Sequence, residues 1–267
     1  MSLFSAARRP FAFPGSGIQF TPLHVLPLLL VAGLAWAWSA DRAMGSMPGT
    51  MGRDAISFIG MWTLMMTAMM LPSAAPFASM HARTVASRRV PRLALFALGY
   101  IAVWAATGVP AFGLALLVDE VVSASSTAAT VMAVAIFAGC GIYQLTPLKD
   151  ACLSHCRSPI GHLLHYANFK GVTRDLRVGL HHGSYCLGCC WTLMVLMAAY
   201  GFMNLWAMVG IAGVVAIEKY WVRGDWFARA VGITALVFAV AVIWVPGLAP
   251  GLDGSGPVMT MAGMGSR

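Results

Sequence analysis

Five of the chain's six cysteines lie between positions 152 and 190: Cys152, Cys156, Cys186, Cys189 and Cys190. Five of its seven histidines share that stretch: His155, His162, His165, His181 and His182. Cys152, His155 and Cys156 stand at i, i+3, i+4, and so do Cys186, Cys189 and Cys190. On a helix each triplet occupies one face. Thiolates and imidazoles are soft or borderline donors that suit Cu(I) or Zn(II) rather than Mg or Ca. Two other readings compete. Buried thiols also serve as small hydrophobes, with the histidines as interfacial polar residues, and Cys186-x-x-Cys189 has the spacing of a thiol redox pair.

The methionines form a second set. Met61, Met65 and Met69 recur at i, i+4, i+8, with Met66 and Met70 as the adjoining column. Pro72 and Pro76 follow, and each proline releases a carbonyl four residues back, here on Ala68 and Pro72. Thioethers bind Cu(I) or Ag(I), although methionine is also an adaptable packing residue. Met44, Met47 and Met51, then Met259, Met261 and Met264, fall in Gly-containing segments where core packing is not the expected role. Methionine on the oxidising side and cysteine on the reducing side is a sensible division for copper.

Few other polar residues interrupt the apolar runs. Cys140 and Gln144 are four apart and share a face, Gln144 serving either the site or an interhelical hydrogen bond. Glu218 and Lys219 read as a local ion pair or snorkelling anchor. Asn204 is placed to cap a tight turn. Ser158-Pro159 suggests the start of an interfacial helix carrying Ile160, Leu163, Leu164 and Phe169, with His162 and His165 three apart.

The elements that must position these residues follow from composition. Of 267 residues, 59% are hydrophobic and 10% charged, with a mean hydropathy of +0.77. So few charges cannot cover a soluble surface, and so apolar a chain is not disordered. The expected fold is all-α: a polytopic transmembrane helix bundle of about seven spans, at 22–39, 56–80, 92–118, 128–148, 186–202, 204–220 and 230–246. Residues 1–21 form an N-terminal cytoplasmic segment, 22–246 a single transmembrane domain, and 247–267 a flexible Met/Gly-containing tail. The first apolar run is long enough to span, so no cleavable signal peptide is expected.

With the N-terminus inside and the C-terminus outside, all but three of the 17 Lys and Arg fall on the inner side. The basic excess is thereby explained by membrane orientation, and nucleic acid loses its motive as a partner; lipid takes its place. The Cys/His-rich loop between spans four and five becomes cytoplasmic and reducing, which favours metal or redox chemistry over structural disulfides. No phosphate-binding G-x-x-x-x-G-K-[ST], G-x-S-x-G or H-E-x-x-H motif occurs. The absence of a mid-span carboxylate weakens a proton-coupled transporter.

Three motifs carry a family resemblance. They are Met-Met-Thr-Ala-Met-Met-Leu-Pro-Ser-Ala-Ala-Pro (65–76), Gly-Ile-Tyr-Gln-Leu-Thr-Pro-Leu-Lys-Asp-Ala-Cys-Leu-Ser-His-Cys-Arg-Ser-Pro (141–159) and Gly-Leu-His-His-Gly-Ser-Tyr-Cys-Leu-Gly-Cys-Cys-Trp (179–191). Met203-Asn204-Leu205 and Glu218-Lys219 also match. Together, over roughly residues 55–245, they resemble a bacterial family of predicted metal-binding integral membrane proteins that includes a membrane copper chaperone for polyphenol oxidases.

The resemblance implies copper handling in a bacterial inner membrane, without a catalytic residue. Cys152, Cys156, Cys186, Cys189 and Cys190 would hold Cu(I), with His155, His181 or His182 as borderline ligands. Met65, Met66, Met69 and Met70, with Cys140 opposite, would relay it toward an extracytoplasmic apo copper oxidase. The alternatives are a membrane thiol-disulfide oxidoreductase and a membrane subunit with a structural zinc site.

Overall fold

The structure, a computed structural model, describes residues 22–42, 47–83, 89–157, 166 and 173–253. His162, His165, Met44, Met259, Met261 and Met264 lie outside the described residues, as does the interfacial helix expected after Ser158. The described residues contain helices and no strand. In chain order the helices are α1 (Pro22–Asp41), α2 (Ala55–Arg83), α3 (Arg89–Ala106), α4 (Gly108–Ala124), α5 (Ser126–Gln144), α6 (Pro147–Arg157), α7 (Arg174–Tyr200), α8 (Leu205–Tyr220) and α9 (Gly224–Ala241), followed by a 3-10 turn at Pro246–Leu248. Five helical stretches are long and apolar enough to cross a membrane: Ala55–Ala82, Val90–Ala124, Ser126–Gln144, Arg174–Tyr200 and Gly224–Ala241. The described apolar stretch of α1, Leu26–Asp41, is shorter.

The described helices overlap each expected apolar span, but five rather than seven stretches are long and apolar enough to cross a membrane, and α5 ends at Gln144, short of the fourth span's expected end. The third span is α3 and α4 joined at Thr107 and continuing to Ala124. Pro110 removes the donor that would reach the Ala106 carbonyl. The Thr107 hydroxyl fills the joint by donating to the Trp104 carbonyl at 2.6 Å while accepting from Trp62 Nε1 at 3.0 Å. A stretch of 35 residues rises about 52 Å, more than a hydrocarbon layer of about 30 Å requires. Its Asp119–Glu120 end therefore need not enter the apolar layer.

The helix that holds the fifth expected span begins at Arg174 rather than at 186. Its first three turns are polar in sequence, and tertiary partners hold them helical. Asp175 in the first turn complements the helix dipole. It is also held by Arg92 Nε at 2.7 Å and His81 Nε2 at 2.8 Å. Glycines then seat α7 directly on α3. A Cβ at Gly179 would lie 2.1 Å from the Phe96 carbonyl oxygen, and one at Gly99 would lie 2.3 Å from that of Leu176. Small residues permit such close backbone crossings between apolar helices. As a result His181 and His182 stand on a helix rather than in a loop, and the Cys186–Cys190 triplet lies near mid-helix.

At the end away from the basic residues, Asp119 Oδ2 accepts from Thr50 N at 2.9 Å and Thr50 Oγ1 at 2.7 Å. Gly251 N donates to the Ala199 carbonyl at 2.8 Å, and Ala249 and Leu252 are buried. Met51 packs partly buried against the core, whereas Met47 is exposed. Asn204 caps α8 as its position suggests, accepting from Trp206 N and Ala207 N.

Candidate metal centre

Helix α6 lies against the basic half of α7 and the end of α8. Arg157 anchors its far end, donating to the carbonyls of Trp221 at 2.7 Å and Val222 at 2.9 Å and pairing with Asp225. Arg229 reaches Asp150 at 3.2 Å. Tyr143 donates to the Gly188 carbonyl. These ties bring the two triplets together. Cys156 Sγ donates to Cys189 Sγ at 3.8 Å, across 33 residues of chain. From the next residue, Cys190 Sγ approaches the Met70 thioether sulfur at 3.9 Å.

Cys186, Cys189 and Cys190 are buried, while Cys152 and Cys156 are half-buried. Cys152 sits over Gly188, where a Cβ would come within 2.9 Å of its sulfur. The hydrogen bond that Cys156 donates, and then its burial, push its thiol well above the usual range. Burial, then the charge of Cys189, raises Cys152. Among the described residues, no three Cys, His, Asp or Glu side chains converge as one metal-ligating group. The arrangement is instead a succession of close sulfur pairs.

Ionic groups absent from the candidate ligand set surround these sulfurs. Lys149 is fully buried and pairs with Glu218 Oε2 at 2.6 Å; it also donates to the Cys189 carbonyl. Gln144 Nε2 donates to the other Glu218 oxygen at 2.7 Å, which makes it an interhelical partner rather than a companion of Cys140. Lys219 is buried with its Nζ 3.0 Å from Cys186 Sγ and 3.0 Å from Ser73 Oγ. Glu218 and Lys219 therefore neither pair with each other nor snorkel, since consecutive residues on a helix diverge by 100°. Tyr100 OH donates to the Met70 carbonyl at 3.0 Å and lies 2.9 Å from Cys186 Sγ. The carbonyl that Pro76 releases on Pro72 accepts from Tyr220 OH at 2.8 Å.

The histidines divide into two groups. His155 stacks on Tyr185 with centroids 3.3 Å apart and lies 6.0 Å from His181, whose Nδ1 meets Tyr166 OH at 2.7 Å. This group borders the α6 thiols. His182 is buried against Phe77 at 4.2 Å, in an aromatic layer with Phe96 and Tyr100. Cys140 is buried in α5 beside Thr192. Met61, Met65, Met66, Met69 and Met70 are all buried. Further buried thioethers, Met194 and Met197, continue the α7 column from Cys190 at i+4 and i+7. That spacing was visible in the sequence.

With this geometry in hand, a family model described as PpoB2, a copper chaperone, matches residues 59–242. The chain belongs to that family. The match covers about two-thirds of the chain, from the methionine columns of α2 to the end of α9, and includes every close sulfur pair described above. Comparison with curated proteins and with solved structures returns no match.

Proposed function

We propose that this protein is an integral membrane Cu(I) chaperone that carries copper between the thiol-rich basic end of the bundle and an extracytoplasmic apo copper oxidase. The membrane is a bacterial inner membrane, crossed seven times with the N-terminus inside. The observation that carries the reading is the adjacency of two sulfur pairs, Cys156–Cys189 and Cys190–Met70. Cys156 and Cys189 come from different helices and share a proton position that one soft cation can take. Cys152 and Cys186 flank this pair, and His155 and His181 form its mouth. Cys190 and Met70 lead on to Met66, Met69 and Met65 in α2. Exchange between neighbouring sulfurs passes the ion along without releasing it. His182 and Cys140 shape the surroundings.

The deciding experiment is metal content of the anaerobic, reduced protein offered Cu(I) and Zn(II) together. It is repeated with Cys152 and Cys156, or Cys186, Cys189 and Cys190, changed to Ser. Tight Cu(I) lost in both variants supports one shared site. Zn(II) retained against Cu(I) replaces it with a structural zinc role. No metal, together with an oxidisable Cys186–Cys189 pair, replaces it with a thiol-disulfide role.

A further inference from the structure

Within the copper reading above, on which this inference rests, the five cysteines are not equivalent. Cys186 is the thiol whose sulfur is already engaged. Lys219 Nζ donates to it at 3.0 Å, and Tyr100 OH stands 2.9 Å away. The single Tyr100 proton goes to the Met70 carbonyl at 3.0 Å, so the tyrosine oxygen accepts from the Cys186 thiol. Cys186 thus has one donor pressed on its lone pair and its own proton committed.

Lys219 has no carboxylate partner among the described residues. The neighbouring Glu218 is taken by Lys149 and Gln144, and Asp175 by Arg92 and His81. Cys186 first, and then Cys189 and Cys156, lie within electrostatic reach of the Lys219 ammonium. A buried charge in an apolar bundle needs a counter-charge. One Cu(I) between the two thiolates of Cys156 and Cys189 gives a unit of charge −1, which the ammonium balances. Zn(II) in the same two-thiolate unit would leave the ammonium uncompensated, and zinc also seeks four ligands.

We propose that Lys219 is a specificity-determining residue. It holds Cys186 out of the coordination sphere and supplies the counter-charge, so that Cys156 and Cys189 form a two-coordinate site for a monovalent soft ion. Binding displaces two protons, the one that Cys156 donates to Cys189 and the one that Cys189 donates to the Cys186 carbonyl. Even with bonds as long as the zinc–thiolate value of about 2.3 Å, a linear unit needs the sulfurs to part only to about 4.6 Å, less than 1 Å beyond the 3.8 Å seen.

The test is copper K-edge X-ray absorption on the full-length, Cu(I)-loaded protein in detergent, with Zn(II) competition in parallel. The expected wild-type spectrum has two sulfur neighbours, and Cys186→Ser leaves it unchanged. In Lys219→Met a third sulfur enters and Zn(II) begins to displace copper; Lys219→Met combined with Cys186→Ser returns to two. A wild-type spectrum with three sulfurs that falls to two in Cys186→Ser overturns the proposal, as does an unchanged spectrum and preference in Lys219→Met. If Lys219→Met does not fold, Cys186→Ser alone decides whether that sulfur is a ligand. Wild-type protein that takes up no Cu(I) defeats the chaperone reading itself, a result distinct from all of these.

Discussion

Cys156 and Cys189 approach to 3.8 Å between sulfurs although they belong to different helices and stand 33 residues apart. Cys186 and Cys190, their nearer neighbours in sequence, turn instead toward Lys219 and Met70. At 100° per residue Cys186, Cys189 and Cys190 stand at about 0°, −60° and +40° around α7, a fan of about 100°. Helix α6 meets only one edge of the fan, and this sets the order of importance expected among the thiols. Cys156→Ser and Cys189→Ser should each weaken Cu(I) binding by more than about a hundredfold, beyond the loss typical of residues that merely support a ligand. Cys140→Ser should change it little. Competition against a soluble Cu(I) chelator gives both numbers.

The buried Lys149–Glu218 pair predicts a non-additive pattern. Lys149→Met or Glu218→Gln alone leaves an uncompensated charge and should cost about 3–5 kcal/mol. Changing both together should recover most of that loss. Thermal unfolding of the three variants in one detergent measures it, and equal destabilisation by the double variant would contradict the pairing.

The α3–α7 crossing predicts steric intolerance. Gly179→Ala places a Cβ that would sit 2.1 Å from a backbone oxygen, with no flexible side chain to give way. It should lower yield and melting temperature sharply. Gly33→Ala, with nothing within 4 Å, should be neutral or slightly stabilising. The pair is compared by expression and thermal stability.

At the opposite end, Thr50 is bound twice to Asp119. Asp119→Ala should loosen the segment around Met51 while leaving copper uptake at the thiols intact. Limited proteolysis then cuts faster near Gly52 at unchanged Cu(I) stoichiometry.

The proposed seven-span orientation predicts labelling. In a chain whose six cysteines are replaced, a single cysteine at Ser125 should react with an impermeant maleimide from the periplasmic side, and one at Ser154 only after lysis. The reverse pattern would invert the topology.

Much of the helical architecture is legible in the sequence, because long apolar runs bounded by charges specify long apolar helices. The triplets at i, i+3, i+4, the methionine columns and the Asn204 cap depend on local geometry alone, and the helices preserve them. The start of α7 reads as loop in the sequence, because Arg174, Asp175 and Arg177 interrupt the apolar pattern around Leu176 and Val178. Its helicity depends on Asp175 meeting Arg92 and His81 from more than 80 residues away. Glu218 and Lys219 illustrate the same limit. The sequence determined that two charges would end an apolar helix. Only the tertiary structure decided that one would neutralise Lys149 and the other would face Cys186. Charge partners and sulfur pairs are set by how helices pack against one another, and that register depends on the fit of distant glycines and aromatic rings rather than on the spacing within any one helix.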